Sequence, residues 1–170
     1  MQKSKTISRG FGCLLVLLLA TGAQALHIKG GWMSYKFLGK DGAGNFQYEV
    51  TVKVYRDCGV QSPGQNDNIV NISVFSNATN TKAAPVFVAG QVNNYTLRKS
   101  SFSPCISPRP DVCYVILEYR GTITVAPLAQ GYTLAFQRCC RIDGIVNVVP
   151  PSNNLGNTYS IQLPGNQWGD

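Results

Sequence analysis

The strongest pattern in the chain is the stretch FQYEVTVKVY, residues 46–55. Phe46, Tyr48, Val50, Val52 and Val54 fall on one side, and Gln47, Glu49, Thr51 and Lys53 on the other. Strict alternation of this length predicts a β-strand with one buried face. WMSYKFL (residues 32–38) reads as its partner strand. Between them GKDGAGN supplies the Gly and Asn that a hairpin turn needs for positive φ angles. The oxygens of DGAGN, with a single carboxylate, fit a turn better than a calcium loop. NIVNISVF alternates through Val70, Ile72 and Val74, and GYTLAFQRCC through Tyr132, Leu134 and Phe136. VCYVILEYRGTITV is a long β-branched and aromatic run in which Gly121 marks an expected bulge or kink. NTYSIQL closes the series. No segment keeps a 3.6-residue period over a helical length. Short strands separated by CGVQSPGQNDN, SNATNTKAAP and PPSNNLGN predict an all-β fold, an immunoglobulin-like antiparallel sandwich.

The first residues follow a different pattern. Lys3, Lys5 and Arg9 precede an apolar run from Phe11 to Ala20, and Ala23-Gln24-Ala25 follows it. This is the layout of a cleaved secretory signal peptide, because the apolar run is too short to span a bilayer. The expected division is residues 1–25 as signal peptide and 26–170 as one β-sandwich domain, exported to the extracellular space or outer cell surface. No other stretch is long and apolar enough to cross a membrane.

Removing residues 1–25 takes three of the 15 Lys and Arg and none of the eight Asp and Glu, so the formal charge falls from +7 to +4. The basic residues are scattered (Lys29, Lys36, Lys53, Arg98, Arg109, Arg120, Arg138), which argues against nucleic acid as a partner. Few, dispersed carboxylates give little material for acid–base catalysis. His27, the one histidine, makes neither a metal cluster nor a nucleophile–base pair without cysteine partners. The expectation is a chain with no catalytic residues, metal or cofactor.

The cysteines remain. After cleavage these are Cys58, Cys105, Cys113, Cys139 and Cys140, and in an oxidising compartment they are expected to be structural disulfides. Adjacent Cα atoms lie about 3.8 Å apart across a trans peptide, below the usual disulfide range of about 4.4–6.8 Å, which disfavours a Cys139–Cys140 bond. Pro108 and Pro110 stiffen the short loop between Cys105 and Cys113. The expected pairs are therefore Cys105–Cys113 and Cys58 with Cys139 or Cys140. Cys140 is preferred because strand alternation puts it on the face of Leu134 and Phe136.

Taken in order, HIKGGWMSYKFLG, YEVTVKVYRDCG and GYTLAFQRCCRIDGIVN resemble the N-terminal region of large exported proteins of gliding bacteria, the gliding-motility-associated or polycystic-kidney-disease-repeat proteins. The residues that carry the likeness are His27, Ile28, Gly30, Gly31, Tyr55–Cys58 and Gln137–Arg141, within a match over nearly all of 27–163. The resemblance implies a surface or secreted β-rich module, adhesive or structural, with no catalytic residues to carry over. Such proteins usually continue into repeats and a C-terminal sorting domain for type IX secretion. This sequence ends at LPGNQWGD, so a fragment or a stand-alone module is expected. The partner expected is a surface protein or a polysaccharide, with Trp32, Tyr35 and Trp168 available to stack on sugars. A secreted hydrolase or thiol-redox enzyme is the alternative.

Overall fold

The computed structural model describes residues 28–58 and 67–165. The expected signal peptide, His27 and Trp168 lie outside them. Eight strands are formed: β1 (Ile28–Lys40), β2 (Phe46–Asp57), β3 (Ile69–Ser76), β4 (Thr81–Lys82), β5 (Phe87–Arg98), β6 (Cys113–Val125), β7 (Tyr132–Arg138) and β8 (Asn157–Leu163). The described residues contain no α-helix, only single 3-10 turns at Lys99–Ser101 and Ser152–Asn154.

All strand pairs are antiparallel, in the order β1-β2-β6-β5-β3-β7-β8, with the short β4 against β3. β3 joins the two halves of the sheet. Its residues Ile69–Ile72 pair with β5, and Ser73–Ser76 pair with β7. The ends of the sheet then approach each other. Ile28 N–H donates to the Cys140 carbonyl at 3.3 Å, and Ile142 N–H donates to the Ile28 carbonyl at 3.1 Å. The result is a single antiparallel sheet curled almost into a barrel.

Alternation along the strands makes the core. Tyr48, Val50, Val52 and Val54 of β2 are buried against Val70, Ile72 and Val74 of β3, Leu134 and Phe136 of β7, and Leu117 and Tyr119 of β6. Each fully buried aliphatic or aromatic side chain of this kind contributes about 1.5–3 kcal/mol relative to exposure.

The hairpin forms where the alternation predicts it. The Asp41 carboxylate accepts from the backbone N–H groups of Ala43 (2.9 Å) and Asn45 (2.8 Å) and from the Asn45 side chain (3.0 Å). Those bonds, the Asn45 amide first, hold its pKa below the ordinary carboxylate value. DGAGN is therefore a turn held by its own aspartate.

Gly121 differs from expectation. The β2–β6 register runs through it without a shift, and the irregularity lies across the sheet between Gln91 and Asn93 of β5. A Cβ on Gly121 would come 2.6 Å from the Phe87 ring, so the glycine makes room for an inward-pointing phenylalanine.

Candidate functional site

The cysteines pair differently from the sequence expectation. Cys58 is bonded to Cys113, Cys139 to Cys140, and Cys105 is exposed and in no disulfide. The first correction follows from strand order. β2 lies against β6 with Asp57 opposite Tyr114, which puts Cys58 opposite Cys113, and their Cα atoms are 5.6 Å apart. The Cys105 loop is thus tied down at Cys113 to β2, not closed on itself. The second correction has two parts. β7 ends at Arg138, so strand alternation no longer governs the cysteines that follow. The Cys139–Cys140 peptide is cis, with the Cα atoms 3.1 Å apart, whereas the expectation assumed a trans bond.

The bond between Cys139 and Cys140 links no distant parts of the chain. It sits beside the seam where Ile28 bonds the Cys140 carbonyl. Anchoring between strands is left to Cys58–Cys113.

A second constellation had no motif to announce it. Antiparallel register sets Trp32 of β1 opposite Lys53 of β2, and Lys53 opposite Glu118 of β6. In the adjacent row Tyr55 lies opposite Ile116, and Ile116 opposite Tyr95 of β5. These residues alternate with the core positions, so they stand on the outer face of the sheet. Glu118 is nonetheless only 5% exposed. Its carboxylate accepts from Arg120 Nε at 2.9 Å and Nη2 at 2.6 Å, and Lys53 Nζ lies 3.2 Å from its other oxygen.

Burial acts most strongly on the Glu118 pKa and pushes it up, but the hydrogen bonds from Arg120 and Lys53 together hold it below the ordinary value. Lys53 is shifted up, first by its bond to Glu118 and also by the Glu118 charge.

The aromatic residues are fixed by the same network. Trp32 Nε1–H donates to the Tyr55 hydroxyl at 2.7 Å, and the Lys53 ammonium lies 5.3 Å from the centre of the indole. Lys29 bonds Asp57 at 3.2 Å and stands 5.2 Å from the Tyr114 ring centre. Trp32 and Tyr95 keep 39% and 41% of their surface exposed. Tyr35, grouped with Trp32 in the sequence, belongs to the opposite face: it pairs with Val50 and meets Tyr48 edge-on at 5.6 Å. The outward set could be found from sequence only in part, from the polar side of the alternation (Glu49, Thr51, Lys53, Tyr55). Its β5 and β6 members needed the strand order.

The interior offers less room. Arg138 bonds Asp67 at 3.0 Å, and the Tyr119 hydroxyl donates to the Asp67 carbonyl at 3.0 Å. Burial, then the Asp67 charge, pushes the Tyr119 phenol up to about 12, so it stays a neutral donor. The space lined by Arg56, Asp67, Tyr119 and Arg138 is about 10 Å³, too small for a substrate. Among the described residues no group of three or more His, Cys, Asp and Glu is placed to hold a metal ion. No helix there is long and apolar enough to cross a membrane.

The Glu118 network predicts a pH dependence. A carboxylate whose folded pKa is depressed binds fewer protons folded than unfolded in the acid range, so stability rises with pH there. Its contribution should be complete above the unfolded value of about 4.5 and be lost as pH falls through the folded one. Urea unfolding between pH 3 and 7 should show a shallower acid loss in Glu118→Gln than in the parent. Equal slopes would show that Glu118 is not held as described.

No family model, curated protein or solved structure matches the chain.

Proposed function

We propose that this chain is an exported, non-catalytic module that acts at the outer cell surface or outside the cell by binding or by a structural role, in the setting of gliding motility. The observation that carries the reading is the outer face around Glu118. A buried carboxylate, two cations and the exposed Trp32 indole are held in fixed positions on an all-β domain with a strand-to-strand disulfide. Surface ion pairs alone add little stability, so a network that immobilises an exposed indole is better explained by recognition. The signal-peptide pattern and the resemblance of the HIKGG, YRDC and QRCCR segments to gliding-bacterial surface proteins support the same reading. The finer fold we propose is an immunoglobulin-like sandwich, in which β3 passes from a β1-β2-β6-β5 face to a β7-β8 face.

Two measurements test this. Intact mass of the exported protein should show a chain beginning at Leu26, with residues 1–25 gone. Immunolabelling of intact cells, with fractionation of the medium, should find the protein outside the cytoplasm. Retention of residues 1–25 or a cytoplasmic pool alone would sink the reading.

One observation favours a thiol-redox enzyme instead: Cys139 and Cys140 are bonded, and Cys139 is exposed. Such an enzyme would oxidise a substrate dithiol to a disulfide while the Cys139–Cys140 bond is reduced to two thiols. Oxidation of a dithiol peptide by stoichiometric protein, absent in Cys139→Ser, would move the assignment to that class.

A further inference from the structure

We propose that the outer face of β1-β2-β6-β5 is a binding site for an extended neutral polysaccharide, with Trp32 and Tyr95 as its stacking residues. The proposal rests on the binding-module reading and names the ligand class of that site.

Pre-organisation is the first support. Exposed tryptophans on a sheet usually keep rotamer freedom, which a ligand must remove at a cost of about 0.5–1.5 kcal/mol per side chain. Here the Trp32 edge is bonded to Tyr55 and its face lies against Lys53, yet 39% of the residue remains open. Tyr95 stands on the same face, in the row of Tyr55 and Ile116, with 41% of its surface open. The indole is therefore set before any ligand arrives, and the phenol ring is open on the same face.

The spacing of the rings selects a polymer. β1 and β5 are separated by β2 and β6, three strand intervals or about 14 Å. A single sugar cannot touch both rings, whereas an extended chain can lay one pyranose C–H face on each. The face is open, which suits a chain passing over it better than an enclosed small molecule.

Charge excludes the other partners. The cations on this face have acidic neighbours: Lys53 and Arg120 share Glu118, Lys29 bonds Asp57, and Lys36 stands opposite Glu49 in the strand register. Little field is left to attract a uronate polymer or nucleic acid. A protein partner fits poorly too, because interface centres are depleted in charge, and this centre is a Lys–Glu–Arg cluster. Sugar hydroxyls fit it well. Asn93 stands in the Glu118 row and borders an open depression with Asn68, Gln91 and Asn94, whose amides each offer donors and an acceptor.

The test uses the full chain in its oxidised form, with insoluble cellulose, chitin, mannan and a neutral β-glucan as probes and alginate as the anionic comparison. Retention by at least one neutral polysaccharide is expected, and it should persist in high salt. Trp32→Ala should weaken it about tenfold or more, and Tyr95→Ala several-fold. Trp32→Phe, which keeps a ring but loses the bond to Tyr55, should fall between. Tyr35→Ala and Phe37→Ala remove exposed aromatics from the other face and should bind as the parent does. Circular dichroism and an intact Cys58–Cys113 bond certify the fold of each variant. Retention by no neutral polysaccharide, retention only by alginate and lost in salt, or indifference to Trp32→Ala would each overturn the proposal. A protein found on the cell surface that binds no polysaccharide would overturn the sugar assignment and leave the module reading standing.

Discussion

Replacing Cys58 or Cys113 with serine should lower the free energy of unfolding by about 4 kcal/mol, as the chain-entropy treatment gives for a loop of this size. The bonded cysteines are 55 residues apart in sequence, and the loop includes all of β3, β4 and β5. Without the bond the unfolded chain regains the freedom of that whole segment, while the folded state loses a fastening between β2 and β6. Domains of this size are stable by about 5–15 kcal/mol, so a large share of the margin should go. Cys139→Ser is the comparison. Its bond joins neighbours in sequence and closes no loop to speak of, so global stability should change by less than about 1 kcal/mol. Urea unfolding of the three variants, with non-reducing peptide maps of the parent, checks this. Equal losses at Cys58 and Cys139 would mean that the strand-to-strand bond is not what constrains the chain.

The same pair shows where sequence reading stops. Alternation along residues 46–54 was enough to place β2, its buried face and its hairpin partner, because period-two burial is a local property. It was not enough to show that β2 also lies against β6, whose paired residues are 79 positions away at Phe46↔Val125 and 57 away at Asp57↔Tyr114. Without that neighbour Cys113 looks like the far end of a short proline loop, and Cys105 looks like its partner. β5 was missed for a related reason. FVAGQVNNYTLR breaks alternation at its irregularity between Gln91 and Asn93, and Val92, Asn93, Asn94 and Tyr95 are all exposed. A strand that buries so little of itself leaves a weak hydrophobic signal.

Legibility of the candidate site follows from this. Trp32 and Lys53 sit on strands that the pattern located, and Trp32 was already noted as a residue able to stack on sugar. Glu118 was unremarkable within VCYVILEYRGTITV. Only the ladder from β1 to β5 brings it under Lys53 and Arg120 and sets Tyr95 on the far side. Recognition surfaces on sheets are assembled across strands, so their members are distant in sequence and share no spacing. The vicinal cysteines are the opposite case. Their adjacency was obvious, but their pairing depended on β7 ending one residue earlier and on a peptide geometry that sequence does not announce.

The join between the two halves of the sheet should be the most sensitive point of the core, and Ile72→Ala should cost about 3–4 kcal/mol. Ile72 is fully buried. It is the last β3 residue paired with β5, opposite Phe87, and Ser73 begins the pairing with β7 opposite Ala135. Strands from both halves surround the side chain, and their ladders hold the backbone on either side, so the cavity left by alanine cannot collapse. Ile72→Val removes one methylene and should cost about 1 kcal/mol. Ile69→Ala, on the same strand but 53% exposed, should stay within about 0.5 kcal/mol of the parent. The three values come from urea unfolding at neutral pH with the disulfides intact. A single transition with an unchanged slope is expected for each, because one core spans both halves. A loss in Ile72→Ala no larger than in Ile69→Ala would contradict this packing. Two separate transitions would show that the β1-β2-β6-β5 and β7-β8 halves unfold independently, and that β3 does not unite them.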